Sequence, residues 1–323
     1  MIRCKLRGSK ANDRVFSGMS FSVGLKLLAL PLVLAMTGLP DVNAGESAAQ
    51  VNVLAMKNGG VVLAHTSQYD KEYPVNAMID GSLENYWASG KPSPEGPYPQ
   101  SFVIEMDQVY ALEKLVIDNR ETDEEDYPGV SAREVRFSVS ATSSREGWKP
   151  LLTVQALQFG RKEIRLPKPV NGRWLKVEIM SNYGNPMFVE INELEAYGQP
   201  VGKKAPFPDA NGVYQTNYQL LMLEVDGEEV TGCYELDKGF VYGKTNGRVF
   251  DIKWVEHKGK ESGTALLVSS SDGFLNGLWY EDGIMKGPWF GNKLPDRATI
   301  QCDPVSAAMG VGFNASTLVD YRH

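Results

Sequence analysis

A short polar segment early in the chain carries the side chains best suited to holding a metal ion. Its key positions are Asp80, Gly81, Ser82, Asn85 and Trp87. Gly81 permits the backbone to double back, so the Asp80 carboxylate and nearby backbone carbonyls can converge on one point. A hard cation such as calcium prefers an all-oxygen cage of this kind. The same spacing also suits a simple turn in which Trp87 is a core residue.

A second motif lies about a hundred residues downstream, in Glu193-Leu194-Glu195-Ala196-Tyr197-Gly198. With the Asp-Gly…Trp segment before it, and with Ser138-Val139-Ser140 and Trp148 between them, residues from about 51 to 198 resemble the F5/8 type C (discoidin) family. That family includes the galactose-binding-like carbohydrate-binding modules. The resemblance implies a jelly-roll β-sandwich with a structural calcium near its loops.

The resemblance also implies which residues hold the calcium. Carried over by position, the ligands are the Asp80 side chain, the Ala77 and Asn85 positions, and Glu193 from the closing strand. Two positions depart from the commonest pattern of the family, because Ser82 stands where Asn or Asp is frequent and Asn85 where Thr is frequent.

The loops at the ends of such a sandwich carry side chains suited to a sugar. An aromatic face packs on the C–H groups of a pyranose, while Arg, Asn and carboxylates bind its hydroxyls. The candidate ligand-binding residues are Tyr69, Tyr98, Arg120, Tyr127 and Tyr183. In the sugar-binding members of the resembling family, an Arg often follows the strand that precedes Arg120. An alternative is that Arg120 forms a solvated ion pair, since an acidic run at 121–126 follows it.

The first 44 residues have the pattern of a secretory signal peptide. Basic residues precede an apolar run at 27–39, and Val42-Asn43-Ala44 is a small-x-small cleavage signal. A membrane anchor is the alternative, but thirteen apolar residues are few for a bilayer, and no apolar run of eighteen follows. We therefore expect a secreted or periplasmic protein that does not span the membrane.

Removal of this leader changes the charge and the cysteine count. The leader has six basic and two acidic residues, so the formal net charge falls from −7 to −11. An acidic chain repels phosphate backbones, which argues against nucleic acid as a partner. Cys233 and Cys302 remain, and in an oxidising compartment they predict one disulfide bond. Two buried free thiols are the alternative.

The remaining length predicts two domains, since it exceeds what one core usually serves. Strand-like runs at 101–106, 115–118, 135–140 and 174–179 place a β-sandwich at 45–198. A proline-rich linker at 199–210 follows, because prolines cannot feed a central ladder. A second β-domain at 211–302 and a flexible tail at 303–323 complete the predicted organisation. The predicted fold class is thus all-β.

The second domain has the rhythm of consecutive hairpins. Turn signals recur at Asp226-Gly227, Lys238-Gly239, Asn246-Gly247, Asp272-Gly273 and Asp282-Gly283. A Gly-x-aromatic pattern recurs between them, ending at Tyr214, Tyr234, Trp279 and Trp289. Residues two apart share one face of a strand, so each Gly leaves room for a ring or for strong curvature. The pattern predicts an antiparallel meander barrel or coiled sheet, broadly similar to lipocalin-like and avidin-like barrels. Its aromatics, with Trp254 and Phe290, line a ligand cavity or fill the barrel.

Catalytic motifs are missing from the sequence. It has no Gly-x-Ser-x-Gly, His-Glu-x-x-His, P-loop or Gly-x-Gly-x-x-Gly, and its three histidines are scattered at His65, His257 and His323. The favoured function is a non-catalytic protein that binds a glycan or another cell-surface component through the sandwich loops. The alternatives are an adhesion or assembly protein that binds a protein partner, and a barrel that binds a small ligand.

Overall fold

The computed structural model describes residues 50–90, 98–295, 300 and 302. The predicted leader (1–44) and tail (303–323) lie outside the described residues, and the predicted domain limits stay predictions. The described residues form sixteen β-strands and three short 3-10 helices, the latter at Met56–Asn58, Val75–Ile79 and Leu236–Lys238. None of these helices is long and apolar enough to cross a membrane. The all-β prediction is confirmed.

The N-terminal half of the described chain is a β-sandwich. Its strands are β1 (Val61–His65), β2 (Trp87–Ala88), β3 (Gln100–Asp118), β4 (Glu134–Ser140), β5 (Lys149–Gln155), β6 (Arg161–Ile179), β7 (Glu190–Ile191) and β8 (Glu193–Pro200). The larger sheet has the order β1-β3-β6-β4-β5, with β8 also paired to β3, and the smaller sheet pairs β2 with β7. Apolar side chains between the layers, such as Trp87, Phe102 and Phe137, are fully buried.

Strand β3 is longer than the sequence predicts. The runs at 101–106 and 115–118 were expected as separate strands, but both belong to β3, because the backbone between them stays paired with β6 across two register shifts. The first part of β3 pairs with β1 and the second part with β8. One long, bent strand therefore carries both halves of the sheet.

The C-terminal half is a closed eight-stranded antiparallel barrel. Its strands are β9 (Gly212–Thr216), β10 (Gln219–Asp226), β11 (Glu229–Tyr234), β12 (Gly239–Thr245), β13 (Val249–Glu256), β14 (Glu261–Ser269), β15 (Phe274–Glu281) and β16 (Ile284–Lys293). Consecutive strands pair, and β16 closes on β9. All five predicted turn signals lie at connections between consecutive strands, with Asp226 ending β10 and Gly239 beginning β12. Two further turns were not predicted, at Asn217–Tyr218 and at 257–260, although the second contains Lys258-Gly259, the same dipeptide as Lys238-Gly239.

The recurring glycines explain how large rings fit inside this barrel. Four interior aromatics each have a glycine as their direct partner on the neighbouring strand, in the pairs Tyr234–Gly239, Trp254–Gly263, Trp279–Gly287 and Trp289–Gly277. A Cβ atom built on Gly239 would collide with the ring of Tyr234, and one on Gly263 would lie 2.7 Å from Trp254. The bare backbone therefore provides the space that each ring occupies. Phe290 lies on the outer face, 41% exposed.

The barrel packs directly against the sandwich. Val249, Val268 and Leu278 of the barrel belong to the same buried apolar cluster as the sandwich core. Asn76 donates to the side-chain oxygen of Asn276 at 2.7 Å, and Asn276 donates to the backbone oxygen of Val62 at 2.8 Å. The predicted linker segment is anchored as well, since Lys204 forms an ion pair with Asp107.

A buried ion pair lies at the centre of this contact. Glu105 of β3 is 0% exposed and accepts a hydrogen bond from the Arg248 guanidinium at 2.9 Å. It also accepts from Arg173 at 3.1 Å and from the Ser271 hydroxyl at 2.9 Å. Arg248, 1% exposed, donates in addition to the Gly59 carbonyl at 2.7 Å. The two charges thus have partners from both halves of the chain.

The two cysteines of the barrel form a disulfide bond, as the sequence predicted. Cys233 at the end of β11 is bonded to Cys302, and their Cα atoms are 5.6 Å apart. The bond joins residues that are 69 positions apart in the sequence.

Candidate functional site

The polar motif near residue 80 forms a compact cluster with the closing strand of the sandwich. Asp80 accepts hydrogen bonds from the Ser82 backbone amide at 2.7 Å and from the Asn85 side chain at 2.8 Å. Glu193, 4% exposed, accepts from the Gly81 amide at 2.7 Å. The Asp80 and Glu193 carboxyls are also hydrogen-bonded to each other. Three of the four residues that the resemblance implies as calcium ligands therefore meet, about 110 positions apart in sequence.

The electrostatics of this cluster are those of two acids held too close together. Burial raises the pKa of Glu193, and the charge of Asp80 raises it further. Burial also raises the pKa of Asp80, against the hydrogen bonds from Asn85 and Ser82. Such an oxygen donor set fits calcium, because a divalent cation would neutralise both carboxylates. Ala77, the fourth implied ligand, is buried in the 3-10 helix just before Asp80.

An aromatic cleft that is open to solvent lies at the loop end of the sandwich. Its lining residues are Tyr69, Tyr73, Tyr86, Ala88, Tyr127, Phe188 and Glu190. They come from the segment between β1 and β2, from the loop after β3, and from the residues that lead into β7. The pairing of Ala88 with Glu190 brings the first and last of these segments together.

Ring contacts fix the shape of the cleft. Phe188 lies edge-to-face with Tyr69 at 5.2 Å and with Tyr127 at 5.6 Å between ring centroids. Tyr73 lies 5.1 Å from Tyr86, and their hydroxyls share a hydrogen bond. Tyr69 and Tyr127 remain 40% and 37% exposed. Part of this aromatic surface is therefore available to a ligand.

One buried carboxyl group lies among these rings. Glu190 is 4% exposed and accepts a hydrogen bond from the Asp123 backbone amide at 2.8 Å. Burial raises the pKa of Glu190 to about 7, and the charges of Asp123 and Glu124 act in the same direction. The side chain can therefore donate or accept a hydrogen bond near neutral pH.

The buried side chain of Glu124 stabilises the loop that carries Tyr127 by accepting hydrogen bonds from its backbone. Glu124, 5% exposed, accepts from the backbone amides of Gly129 and Ser131 at 2.5 and 2.9 Å. Burial alone would raise the pKa of Glu124, but these bonds and those from the Ser131 and Gln158 side chains lower it. Part of the acidic run is thus an internal support of the loop.

Only two of the five predicted ligand-binding residues, Tyr69 and Tyr127, line this cleft. Arg120 is ion-paired at 2.7 Å with Asp118, a buried residue that lies outside the acidic run of the alternative interpretation. The Tyr183 hydroxyl donates to the Ala156 carbonyl at 2.6 Å. Tyr98 packs against the sandwich core. The roles of these three residues in binding stay predictions.

The other five residues of the cleft were not among the predicted ligand-binding residues, namely Tyr73, Tyr86, Ala88, Phe188 and Glu190. Two of them had a signal, because Tyr86 precedes the Trp of the first motif and Glu190 lies three residues before Glu193 of the second. Phe188 had none, since its place depends on the pairing of β2 with β7.

The comparisons with known proteins concern the sandwich. The sequence profile of the F5/8 type C domain matches residues 63–194. No curated protein matches the chain.

Several solved structures are similar to part of this chain at low identity. CBM32-3 from a family 31 glycoside hydrolase of Clostridium perfringens is 20% identical, covers 44% of this chain and 92% of its own, and has a TM-score of 0.38. The family 32 carbohydrate-binding module of Streptococcus pneumoniae EndoD is 15% identical, with 46% and 100% covered and a TM-score of 0.38. The family 32 module of C. perfringens NanJ, in complex with galactose, is 15% identical, with 45% and 98% covered and a TM-score of 0.37.

The profile match spans most of the sandwich and contains both the Asp80 segment and Glu193. Segment 63–194 therefore matches the F5/8 type C domain family, which confirms the resemblance predicted from its two motifs.

Proposed function

We propose that this protein is a secreted or periplasmic, non-catalytic protein that binds a neutral or basic glycan in the aromatic cleft of its sandwich. The observation that carries this proposal is the grouping of exposed Tyr69 and Tyr127 around Phe188, with the Glu190 carboxyl beside them. The match of the sandwich to the F5/8 type C family supports it.

The chemistry of the cleft suits a sugar ring. The exposed parts of Tyr69 and Tyr127 offer apolar faces to the C–H groups of a pyranose. Glu190 and the tyrosine hydroxyls offer acceptors and donors to its hydroxyl groups. Because the rings meet edge-to-face, a sugar can pack on one ring while it contacts the edge of the next.

The charge around the cleft favours neutral or basic sugars. Asp70, Glu72, Asp123 and Glu124 all lie near enough to raise the pKa of a cleft residue through their charges. Sulfated or uronic chains would be repelled by this field. An amino sugar would instead be attracted, and most strongly when Glu190 is ionised.

We expect weak binding, since a partly open cleft offers few contacts that exclude water. Dissociation constants in the millimolar to micromolar range correspond to only about 4–8 kcal/mol. Such affinities suit attachment through several copies of a glycan on one surface.

In this proposal, calcium stabilises the sandwich and does not contact the glycan. Asp80, Glu193 and Asn85 would hold the ion, together with backbone oxygens near Ala77. It would supply charge neutralisation for the two carboxylates and so fix the segment that leads to Tyr86.

A glycan array, run with and without a chelator, tests the proposed function. Neutral or amino-sugar glycans should give signal, and Tyr127→Ala and Phe188→Ala should each reduce it about tenfold, since one packing face is lost. Phe159→Ala is the matched control, because Phe159 is 57% exposed and does not line the cleft.

Two other outcomes would indicate a different binding site or a different function. If Arg120→Ala and Tyr183→Ala abolish binding while the cleft variants keep it, the site is the one predicted around those residues. If the intact protein retains no glycan but captures a protein from an extracellular or periplasmic extract, the adhesion or assembly function replaces the glycan proposal.

A further inference from the structure

A second aromatic site lies in the barrel, and it shares no residue with the sandwich cleft. Its residues are Tyr218, Tyr234, Trp254, Trp279 and Trp289, here called the barrel cage. In a meander barrel alternate connections lie at the same end, so the turns at 217–218, 235–238, 257–260 and 282–283 surround one mouth. The cage lies at this mouth. Arg248 and Ser271, which contact the sandwich, lie in turns of the opposite end.

The five rings stand at steep angles to one another. Trp289 is 5.2 Å from Tyr234 and 5.9 Å from Tyr218, with interplanar angles of 73° and 83°. Trp279 is 6.0 Å from Tyr218 and 5.6 Å from Trp254, at 87° and 81°. They line a small pocket, and its space of about 260 Å³ includes open solvent at the mouth. This arrangement suits one compact group that is surrounded by ring faces and edges.

One polar atom of the cage has no partner. The indole N–H of Trp289 is buried and makes no hydrogen bond among the described residues. The other two indoles are satisfied, because Trp254 donates to the Tyr280 carbonyl at 3.2 Å and Trp279 to the Tyr218 hydroxyl at 2.8 Å. An unpaired buried donor is costly, so a ligand oxygen that accepts from Trp289 would be stabilised.

A carboxylate lies at the edge of the cage. Glu256 has the same strand parity as Trp254, so its side chain begins on the inner face of β13. It accepts a hydrogen bond from the Tyr234 hydroxyl at 2.7 Å. Asp237 and Glu261 add negative charge around it, and His257 lies in the same cluster. Ring faces carry negative electrostatic potential, so rings and carboxylate together favour a cation.

We propose that the barrel cage binds a compact alkylammonium group whose ligand also carries an oxygen acceptor, as choline does. The ring faces surround the methylated nitrogen, Glu256 supplies the countercharge, and the ligand oxygen accepts from the Trp289 indole. Partly exposed Tyr218 and Trp279 form the mouth through which the ligand enters. This proposal does not depend on glycan binding by the sandwich.

Calorimetric titration of the full-length protein with choline tests the proposal, with 3,3-dimethyl-1-butanol as the neutral compound of the same shape. Choline should bind at least tenfold more tightly than the alcohol, since only the cation gains from the ring faces and Glu256. Glu256→Gln should weaken choline binding about threefold to tenfold. Trp279→Ala should remove it.

Matched variants separate binding from folding. Phe290→Ala removes an exposed ring next to Trp289 and should leave choline binding unchanged. Trp289→Phe keeps a ring but removes the N–H, so it should weaken choline more than tetramethylammonium, which has no oxygen. Equal affinity for choline and the neutral alcohol would overturn the proposal, as would the absence of any saturable choline signal in folded protein. In either case the rings only fill the mouth of the barrel.

Discussion

The sandwich cleft and the barrel cage are both aromatic, but they are built in different ways. Most cleft residues come from three loop segments, and hydrogen bonds from the Gly129 and Ser131 amides to Glu124 hold one of these loops in place. Four of the five cage rings come from strands, and each lies over a glycine of the next strand. The cage is thus specified by strand register, whereas the cleft depends on how separate loops meet.

This difference extends to the electrostatics. Glu190 in the cleft is buried beside other acids, and its pKa is raised to about 7. Glu256 at the cage is half-buried and bonded to a tyrosine hydroxyl. A loop site with a titrating carboxyl suits a hydroxyl-rich ligand, and a ring of rigid aromatics with a carboxylate at its edge suits a cation.

The largest expected effect tests whether the two regions unfold together. Arg248→Ala leaves Glu105 buried without its main countercharge and should lower the free energy of unfolding by about 3–5 kcal/mol. Denaturant unfolding should show a single transition in both proteins, with its midpoint at a lower denaturant concentration in Arg248→Ala. Arg136→Ala is the control, because its pair with Glu178 is long and exposed, and about 0–1 kcal/mol is expected there. A loss below 1 kcal/mol for Arg248→Ala would show that the buried pair does not join the regions energetically.

Replacing both cysteines by Ser is expected to affect the barrel more than the sandwich. The bond closes a loop of about 70 residues, so its removal should lower stability by up to about 4 kcal/mol in the chain-entropy model. Thermal unfolding followed by tryptophan fluorescence measures the loss. An unchanged melting temperature, or two free thiols by mass spectrometry in protein from an oxidising compartment, would contradict it.

The calcium proposal concerns the sandwich alone. A hundredfold excess of calcium over its dissociation constant should raise stability by about 2.7 kcal/mol, because the ion binds only the folded state. Addition of a chelator should lower the melting temperature, and Asp80→Ala should remove this response. The Cys233→Ser variant should keep the response, since the bond lies in the other region. A chelator without effect on the wild-type protein would refute the proposal.

The smallest stability effect is the pH dependence that Glu190 confers. Its pKa of about 7 in the folded protein exceeds the ~4.3 of an unfolded Glu, so the folded state holds the extra proton between these values. The contribution of Glu190 to the free energy of unfolding is therefore fully present below about pH 4. It is lost as the pH rises to about 7, which lowers the free energy of unfolding by on the order of 1–3 kcal/mol. Glu190→Gln should remove this part of the pH profile, measured by chemical denaturation from pH 4 to 8. Glu84→Gln, at an exposed position, should keep the wild-type profile.

Much of the fold was predictable, because its signals are local. All five Gly-containing turn signals of the barrel separate consecutive strands, and the Gly-x-aromatic spacing marks interior rings. The cysteine pair could be read from its count alone. By contrast, the joined halves of β3 depend on pairing with β6 through two register shifts, which no local run of residues reveals.

The sites were only partly predictable for a related reason. The Asp80 and Glu193 motifs have a recognisable pattern, and the structure brings them together. Phe188 and Glu190 reach the cleft through the two-residue pairing of β2 with β7, which is too short for a periodic signal. Arg120 was attractive by position, but nearby Asp118 engages its guanidinium in three hydrogen bonds. This pairing is local, because Asp118 and Arg120 are only two positions apart, so the sequence itself contains its signal.

The most direct test of the central claim is a titration of the best array glycan into three proteins, namely the wild type, Phe188→Ala and Trp279→Ala. Phe188 contacts two rings of the cleft, so its removal should weaken glycan binding about tenfold or more. Trp279 does not line the sandwich cleft, so Trp279→Ala should leave the glycan affinity within about twofold of wild type. Full glycan affinity in Phe188→Ala, with the fold intact, would contradict the assignment of the glycan to the sandwich cleft.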